Sequence, residues 1–201
     1  YTNVLEALDL AGIPLRSVDR QIEDPFVIAG GHCAFNPEPL ADFLDVVVMG
    51  DGEEASIEFT RLVDDWLRQD CPGGRDGLLL NAAKTGKFYV PKFYDVTYED
   101  YEGLIPFSIA KVSPNRGGVP YEVEKWVLTD LDEWPYPKAP LVPVAQTVHE
   151  RYSAEIFRGC TRGCRFCQAG MITRPVRERS LQTIGQMIDH GLKSTGLDEV
   201  G

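Results

Sequence analysis

Cys160, Cys164 and Cys167 stand in the run Arg158-Gly159-Cys160-Thr161-Arg162-Gly163-Cys164-Arg165-Phe166-Cys167, spaced three residues and then two. Thiolates are soft donors that select iron–sulfur clusters, zinc or cuprous ions, and several on one short loop can converge on a single metal centre. A closed structural site takes four protein ligands, and no fourth thiolate lies nearby. A cubane held by three cysteines leaves one iron open to a substrate or cosubstrate.

Such a loop needs rigid elements on both sides. Ala154-Glu155-Ile156-Phe157 reads as a short strand leading into it. Beyond it, Ser180 reads as a helix N-cap, and Leu181, Ile184, Met187, Ile188 and Leu192 recur at helical spacing to give one apolar face. Gly191 and Gly196 are expected to help end this helix, and a second strand is expected at Leu197-Asp198-Glu199-Val200. A loop at the carboxyl end of a strand is where a (β/α) barrel carries its chemistry.

The cysteine run resembles the signature of the radical S-adenosylmethionine (radical SAM) enzymes, with Phe166 as the aromatic residue before the last cysteine. The resemblance implies a 4Fe-4S cluster on Cys160, Cys164 and Cys167, with S-adenosylmethionine chelating the fourth iron. It also implies reductive cleavage of that cosubstrate to a 5'-deoxyadenosyl radical, backbone around Phe166 facing the adenine, and a one-electron reductant of flavodoxin or ferredoxin type as partner. In such an enzyme the protein positions the cofactor and excludes competing reactions. Strand, loop and helix over residues 151–201 resemble the start of the radical SAM partial barrel.

With 201 residues and 43% apolar content, the chain has material for ordinary globular cores. No apolar run approaches the length of a membrane span, and the opening Tyr1-Thr2-Asn3-Val4 has neither an initiator methionine nor a signal-peptide pattern, so the chain reads as a piece of a longer protein. A net charge of -11 disfavours nonspecific attraction to nucleic acid or anionic membranes. Five cysteines, three of them in one loop, fit a reducing cytoplasm better than a disulfide scaffold. Cys33 and Cys71 read as small buried or incidental residues rather than ligands.

Residues 1–68 alternate helix, strand, helix, strand, helix, the pattern of part of a doubly wound α/β sheet. Phe26-Val27-Ile28-Ala29, ended by Gly30-Gly31, and Val46-Val47-Val48-Met49, ended by Gly50-Asp51-Gly52, read as buried parallel strands. Between them, Asn36 as N-cap and Pro37 at the first helical position open a short helix through Phe43. Phe59, Leu62, Val63, Trp66 and Leu67 form an amphipathic stripe that closes the segment. Glycines at strand ends serve turn dihedrals or let a ligand approach the backbone.

This arrangement resembles the C-terminal half of the Rossmann-like cobalamin-binding-type domain that precedes many radical SAM barrels. The resemblance makes Gly30 and Gly31 candidate cofactor-contacting residues and cobalamin a candidate cofactor. The aspartate-x-histidine-x-x-glycine motif that supplies a lower cobalt ligand is absent from these residues, His32 being followed by Cys33-Ala34-Phe35.

Residues 69–150 read as a connector of short strands and extended chain, with strand-like Gly86–Val90 and Glu122–Leu128. Val90-Pro91 and the prolines at 135, 137, 140 and 143 discourage helix there. Asp130-Leu131-Asp132-Glu133 reads as a solvated turn.

Other chemistries fit the cysteines less well. In a structural zinc site His149 or His190 could complete a tetrahedron with Cys160, Cys164 and Cys167, but zinc ribbons and fingers bring two separated pairs and the sequence has no second pair. A dithiol oxidoreductase leaves Cys160 without a role, and a ferredoxin-type electron carrier needs a full thiolate set. A non-catalytic iron–sulfur binding module uses the same three cysteines. Arg158, Arg162, Arg165, Arg174, Arg177 and Arg179 surround the cysteines with positive charge, suited to an anionic cluster or to ordinary ion pairs.

Overall fold

A computed structural model describes residues 1–99, 108–145 and 148–201; residues 100–107 and 146–147, within the expected connector, lie outside the described residues. The chain is mixed helix and small sheets and divides into two compact units, Tyr1–Val127 and Leu128–Gly201.

The first unit opens with helix α1 (Thr2–Leu10), followed by strand β1 (Ile28–Ala29), a 3-10 helix at Glu38–Phe43 and strand β2 (Val46–Val47). The two strands pair in parallel, Ile28 opposite Val46 and Ala29 opposite Val47, as their apolar runs and glycine ends suggest. Burial is unequal: Val46 and Val47 are fully covered, whereas Ile28 is 44% exposed. The expected helix between the strands is 3-10 rather than α, and Pro37 rather than Asn36 is its N-cap, without a side-chain capping bond.

Helix α2 (Glu53–Arg68) buries Ala55, Phe59 and Trp66, and leaves Leu67 exposed at the edge of the expected stripe. Phe26 packs edge-on against Phe59 and Trp66, a favoured geometry for aromatic quadrupoles. Helix α3 (Gly74–Lys84) falls where extended chain was expected. Its Leu78, Leu79, Ala82 and Ala83 recur at helical spacing and are all buried. Strands β3 (Tyr94–Glu99) and β4 (Ser108–Pro114) then form an antiparallel pair.

The two strand-like runs predicted in this region pair only through single bridges. Tyr89 exchanges backbone hydrogen bonds with Val47, and Trp126 bridges Gly50, where a Cβ would collide with the Trp126 carbonyl. Close backbone approach and a φ of +103° both call for glycine at position 50.

Three charged side chains, Arg20, Asp45 and Arg75, are buried together in this unit. Asp45, 1% exposed, accepts through Oδ2 from Arg20 Nη1 at 2.7 Å, Arg75 Nη2 at 3.1 Å and the Val27 N–H at 2.8 Å. Arg20 also donates to the carbonyls of Pro14, Leu15 and Phe43, and the Arg75 guanidinium lies 4.0 Å above the Phe26 ring. A buried carboxylate is tolerable because both cations and a backbone donor converge on it.

The second unit contains β5 (Phe157–Arg158), the short helix α4 (Ala169–Ile172), β6 (Arg177–Glu178) and α5 (Leu181–Thr195). Ser180 caps α5 as its residue type predicts, its Oγ accepting from the Thr183 N–H at 3.2 Å. Met187 is buried, but Leu181, at the start of the expected apolar face, is 87% exposed. Gly196 ends the helix in the left-handed conformation, whereas Gly191 lies inside it, against the Tyr152 ring. The chain after α5 returns beside its start: Tyr152 and Val200 form a parallel bridge, with the Gly201 N–H donating to the Tyr152 carbonyl at 2.8 Å. Neither segment forms a longer strand: the strand expected at 154–157 is reduced to Phe157–Arg158, and the one expected at 197–200 to the single parallel bridge at Val200.

Candidate metal centre

The cysteine loop links β5 to β6, which pair antiparallel with Phe157 opposite Glu178 and Arg158 opposite Arg177. Gly159 turns the chain out of β5 with φ +96°, and a Cβ there would lie 2.5 Å from the Pro175 carbonyl oxygen. Both the dihedral and the crowding require glycine at this exit. At the far side of the loop, the Cys167 N–H donates to the Cys164 carbonyl at 3.1 Å, and the Gly170 N–H donates to Cys167 Sγ at 3.4 Å. An amide aimed at sulfur favours the thiolate.

Cys160 and Cys167 are half-buried, and Cys164 is exposed. Around Gly170 the first and last of them approach each other: a Cβ at 170 would lie 3.8 Å from Cys167 Sγ and 4.0 Å from Cys160 Cβ. The full set is not drawn together, and among the described residues no group of three or more His, Cys, Asp or Glu side chains is disposed to hold a metal ion. The donor chemistry nevertheless fits an iron–sulfur cluster, with soft thiolates carried on one loop and an amide already directed at one sulfur. Phe166 points outward at 92% exposure.

The arginines around the loop divide by task. Arg158 makes a two-point contact with Glu155, Nε to Oε1 at 2.7 Å and Nη2 to Oε2 at 3.2 Å. Arg177 is buried and donates to the carbonyls of Leu128, Thr173 and Pro175. Arg179, also buried, donates to the Leu131 carbonyl and to Glu155 Oε2. Asp132 accepts the Ser180 N–H at 3.1 Å. The segment read as a solvated turn is therefore a docked one, with Leu131 only 1% exposed. Partial burial pushes the Glu155 carboxyl up, but hydrogen bonds and charge from Arg158 and Arg179 outweigh it and hold the group below the usual carboxylate range. Asp132 is also held low, chiefly by its hydrogen bonding to Ser180.

Glu155, Arg177, Arg179 and Asp132 were not singled out as a network by sequence reasoning. The signal was present in part, because arginines two apart on a strand share a face. Their carbonyl partners lie 48 and 49 residues earlier, a distance at which pattern reading has no hold.

Gly30 and Gly31 lie in the first unit, after β1. Gly30 backs onto Val48, while Gly31 has φ +87° with no atom near its missing Cβ, so its need for glycine is conformational.

Residues 1–91 match the family model described as radical SAM proteins, N-terminal. This match supports a radical SAM-related protein. An uncharacterized protein of Methanocaldococcus jannaschii is 26% identical over 174 residues, covering 86% of this chain and 30% of that protein. The chain thus spans under a third of the length of that curated relative. No solved structure matches it. Among the described residues no helix is long and apolar enough to cross a membrane.

Proposed function

We propose that the chain is part of a radical SAM enzyme in which Cys160, Cys164 and Cys167 hold a 4Fe-4S cluster. The observation that carries this reading is the placement of all three thiols on the single loop between β5 and β6, in a chain whose first 91 residues match the radical SAM N-terminal model. When bound, such a cluster supplies the electron that cleaves S-adenosylmethionine to methionine and a 5'-deoxyadenosyl radical. The chain's own contribution is to anchor the loop at Gly159, direct the Gly170 amide at Cys167 and present Phe166 beside the cosubstrate.

The parallel bridge from Tyr152 to Val200, closed across α5, supports reading the second unit as the first strand, loop and helix of a partial barrel. The parallel pair β1–β2 supports a half doubly wound domain of cobalamin-binding type in the first unit, with Gly30 and Gly31 at its strand end. The histidine motif that supplies a lower cobalt ligand is absent from these residues. Exposed Arg162 and Arg165 on the loop suit an acidic one-electron donor of flavodoxin or ferredoxin type, and a reducing cytoplasm is the proposed setting.

Anaerobic reconstitution with iron and sulfide, followed by metal analysis and electron paramagnetic resonance of the reduced protein, tests the reading. Uptake of a 4Fe-4S cluster whose signal shifts on adding S-adenosylmethionine is expected. Stoichiometric zinc without iron would place the cysteines in a structural-metal site, and a cluster indifferent to the cosubstrate would leave a non-catalytic iron–sulfur module.

A further inference from the structure

We propose that Arg174 is a positioning residue of the cysteine loop, fixing the backbone from which Cys160 projects and placing positive charge beside the cluster thiolates. The inference rests on the cluster reading above. Arg174 Nε donates to the Cys160 carbonyl at 3.3 Å, and its Nη2 donates to the Arg162 carbonyl at 3.1 Å. Two adjacent donors of one planar fork thus hold two carbonyls across the first turn of the loop. Lysine, a flexible point charge, offers no such fork.

The two halves of the loop are secured by different devices. The later half is tied by the Cys167 N–H to the Cys164 carbonyl and by the Gly170 N–H to Cys167 Sγ. The earlier half, which carries Cys160, is gripped by Arg174. Among the neighbouring arginines, Arg158 faces Glu155, Arg179 faces the Leu131 carbonyl and Glu155, and Arg177 holds the Leu128 carbonyl and the Thr173 and Pro175 carbonyls near the end of the loop. The donors of Arg174 meet the backbone of the loop at a cysteine. A cluster held by thiolates becomes more negative on reduction, so a guanidinium at this place favours the reduced form.

The test compares the unsubstituted chain with Arg174→Gln and Arg174→Lys. Gln removes the charge, whereas Lys keeps the charge and removes the fork. After anaerobic reconstitution, iron retained through desalting and the midpoint potential from a redox titration are measured. Alkylation of Cys160 is timed separately in the metal-free proteins. Iron retention about 10-fold or more weaker is expected in both variants, the scale of lost support around metal ligands. The potential should fall in Arg174→Gln and stay near the unsubstituted value in Arg174→Lys, and Cys160 should alkylate faster in both. Unchanged iron retention, potential and alkylation in the two variants would overturn the assignment. An unsubstituted protein that takes up no iron is a different result, which ends the cluster reading and this inference with it.

Discussion

The ring of Tyr152 fills the space that a side chain at Gly191 would need, two of its carbons lying 2.3 Å from the position of a Cβ there. Gly191 sits inside α5, where replacement by alanine ordinarily gains roughly 1 kcal/mol in helix propensity. Here that gain competes with overpacking, which costs roughly 1–3 kcal/mol. Gly191→Ala is therefore expected to lower the urea midpoint. A raised midpoint would mean that Tyr152 moves aside freely and that the parallel bridge it makes with Val200 does not depend on this packing.

Cys164 is the exposed member of the loop's thiols, so its side chain contributes little to the metal-free fold. Cys164→Ala should change metal-free stability by less than about 0.5 kcal/mol, the range of ordinary surface substitutions. The same variant should fail to assemble the proposed cluster. Iron and sulfide analysis beside a denaturant titration separates the two effects, and a normal cluster in the variant would remove Cys164 from the ligand set.

Glu155 and Asp132 both titrate below their usual range in the folded chain. A depressed folded value means that the stability they contribute is complete above the unfolded value, near pH 4, and is lost as pH falls through the folded value. The expected profile is a urea midpoint that declines on acidification below about pH 4, beyond the decline from general charge repulsion. In Glu155→Gln the decline should be shallower and the midpoint at neutral pH lower. A variant with the same pH slope as the unsubstituted protein would show that Arg158 and Arg179 do not hold Glu155 in solution.

Asp45 pairs with two guanidinium groups in the first unit, and Arg20 opposite it is fully buried. Removing one partner of such a group leaves charge buried without compensation, a loss of about 3–5 kcal/mol. Asp45→Ala is expected to destabilise the chain on that scale in equilibrium urea unfolding. A loss below about 1 kcal/mol would mean that carbonyl acceptors and water take over the arginines, as in a partly solvated pair.

Features written in local residue types were legible in the sequence. Ser180 followed by an apolar period announced α5, and short apolar runs ending in glycine announced the parallel pair β1–β2. Helix α3 is hard to see in the sequence because Pro72, Gly73, Gly74 and Gly77 are residue types that disfavour helix. In the folded chain Gly77 is instead needed where a Cβ would sit 2.1 Å from the Pro72 carbonyl oxygen. The thiols of the candidate site were visible from spacing alone, but its support was not. Leu131 was masked by acidic neighbours, and the arginines that bind its segment act across 48 residues. The Asp45 group escaped for the same reason, since its arginines lie 25 and 30 residues away in opposite directions.

The docking of residues 128–132 against Arg177, Arg179 and Ser180 decides where the chain can be cut. A fragment begun at Arg151 would keep every cysteine of the loop, the short β5–β6 pair and α5, yet it would strip the Leu128 and Leu131 carbonyls from Arg177 and Arg179. It would also take the Asp132 carboxylate from the amide of Ser180, the N-cap of α5. Two guanidiniums would then face a newly opened surface with fewer acceptors. A minimal cysteine-bearing piece therefore has to start upstream of Leu128, although the cysteines themselves begin more than thirty residues later.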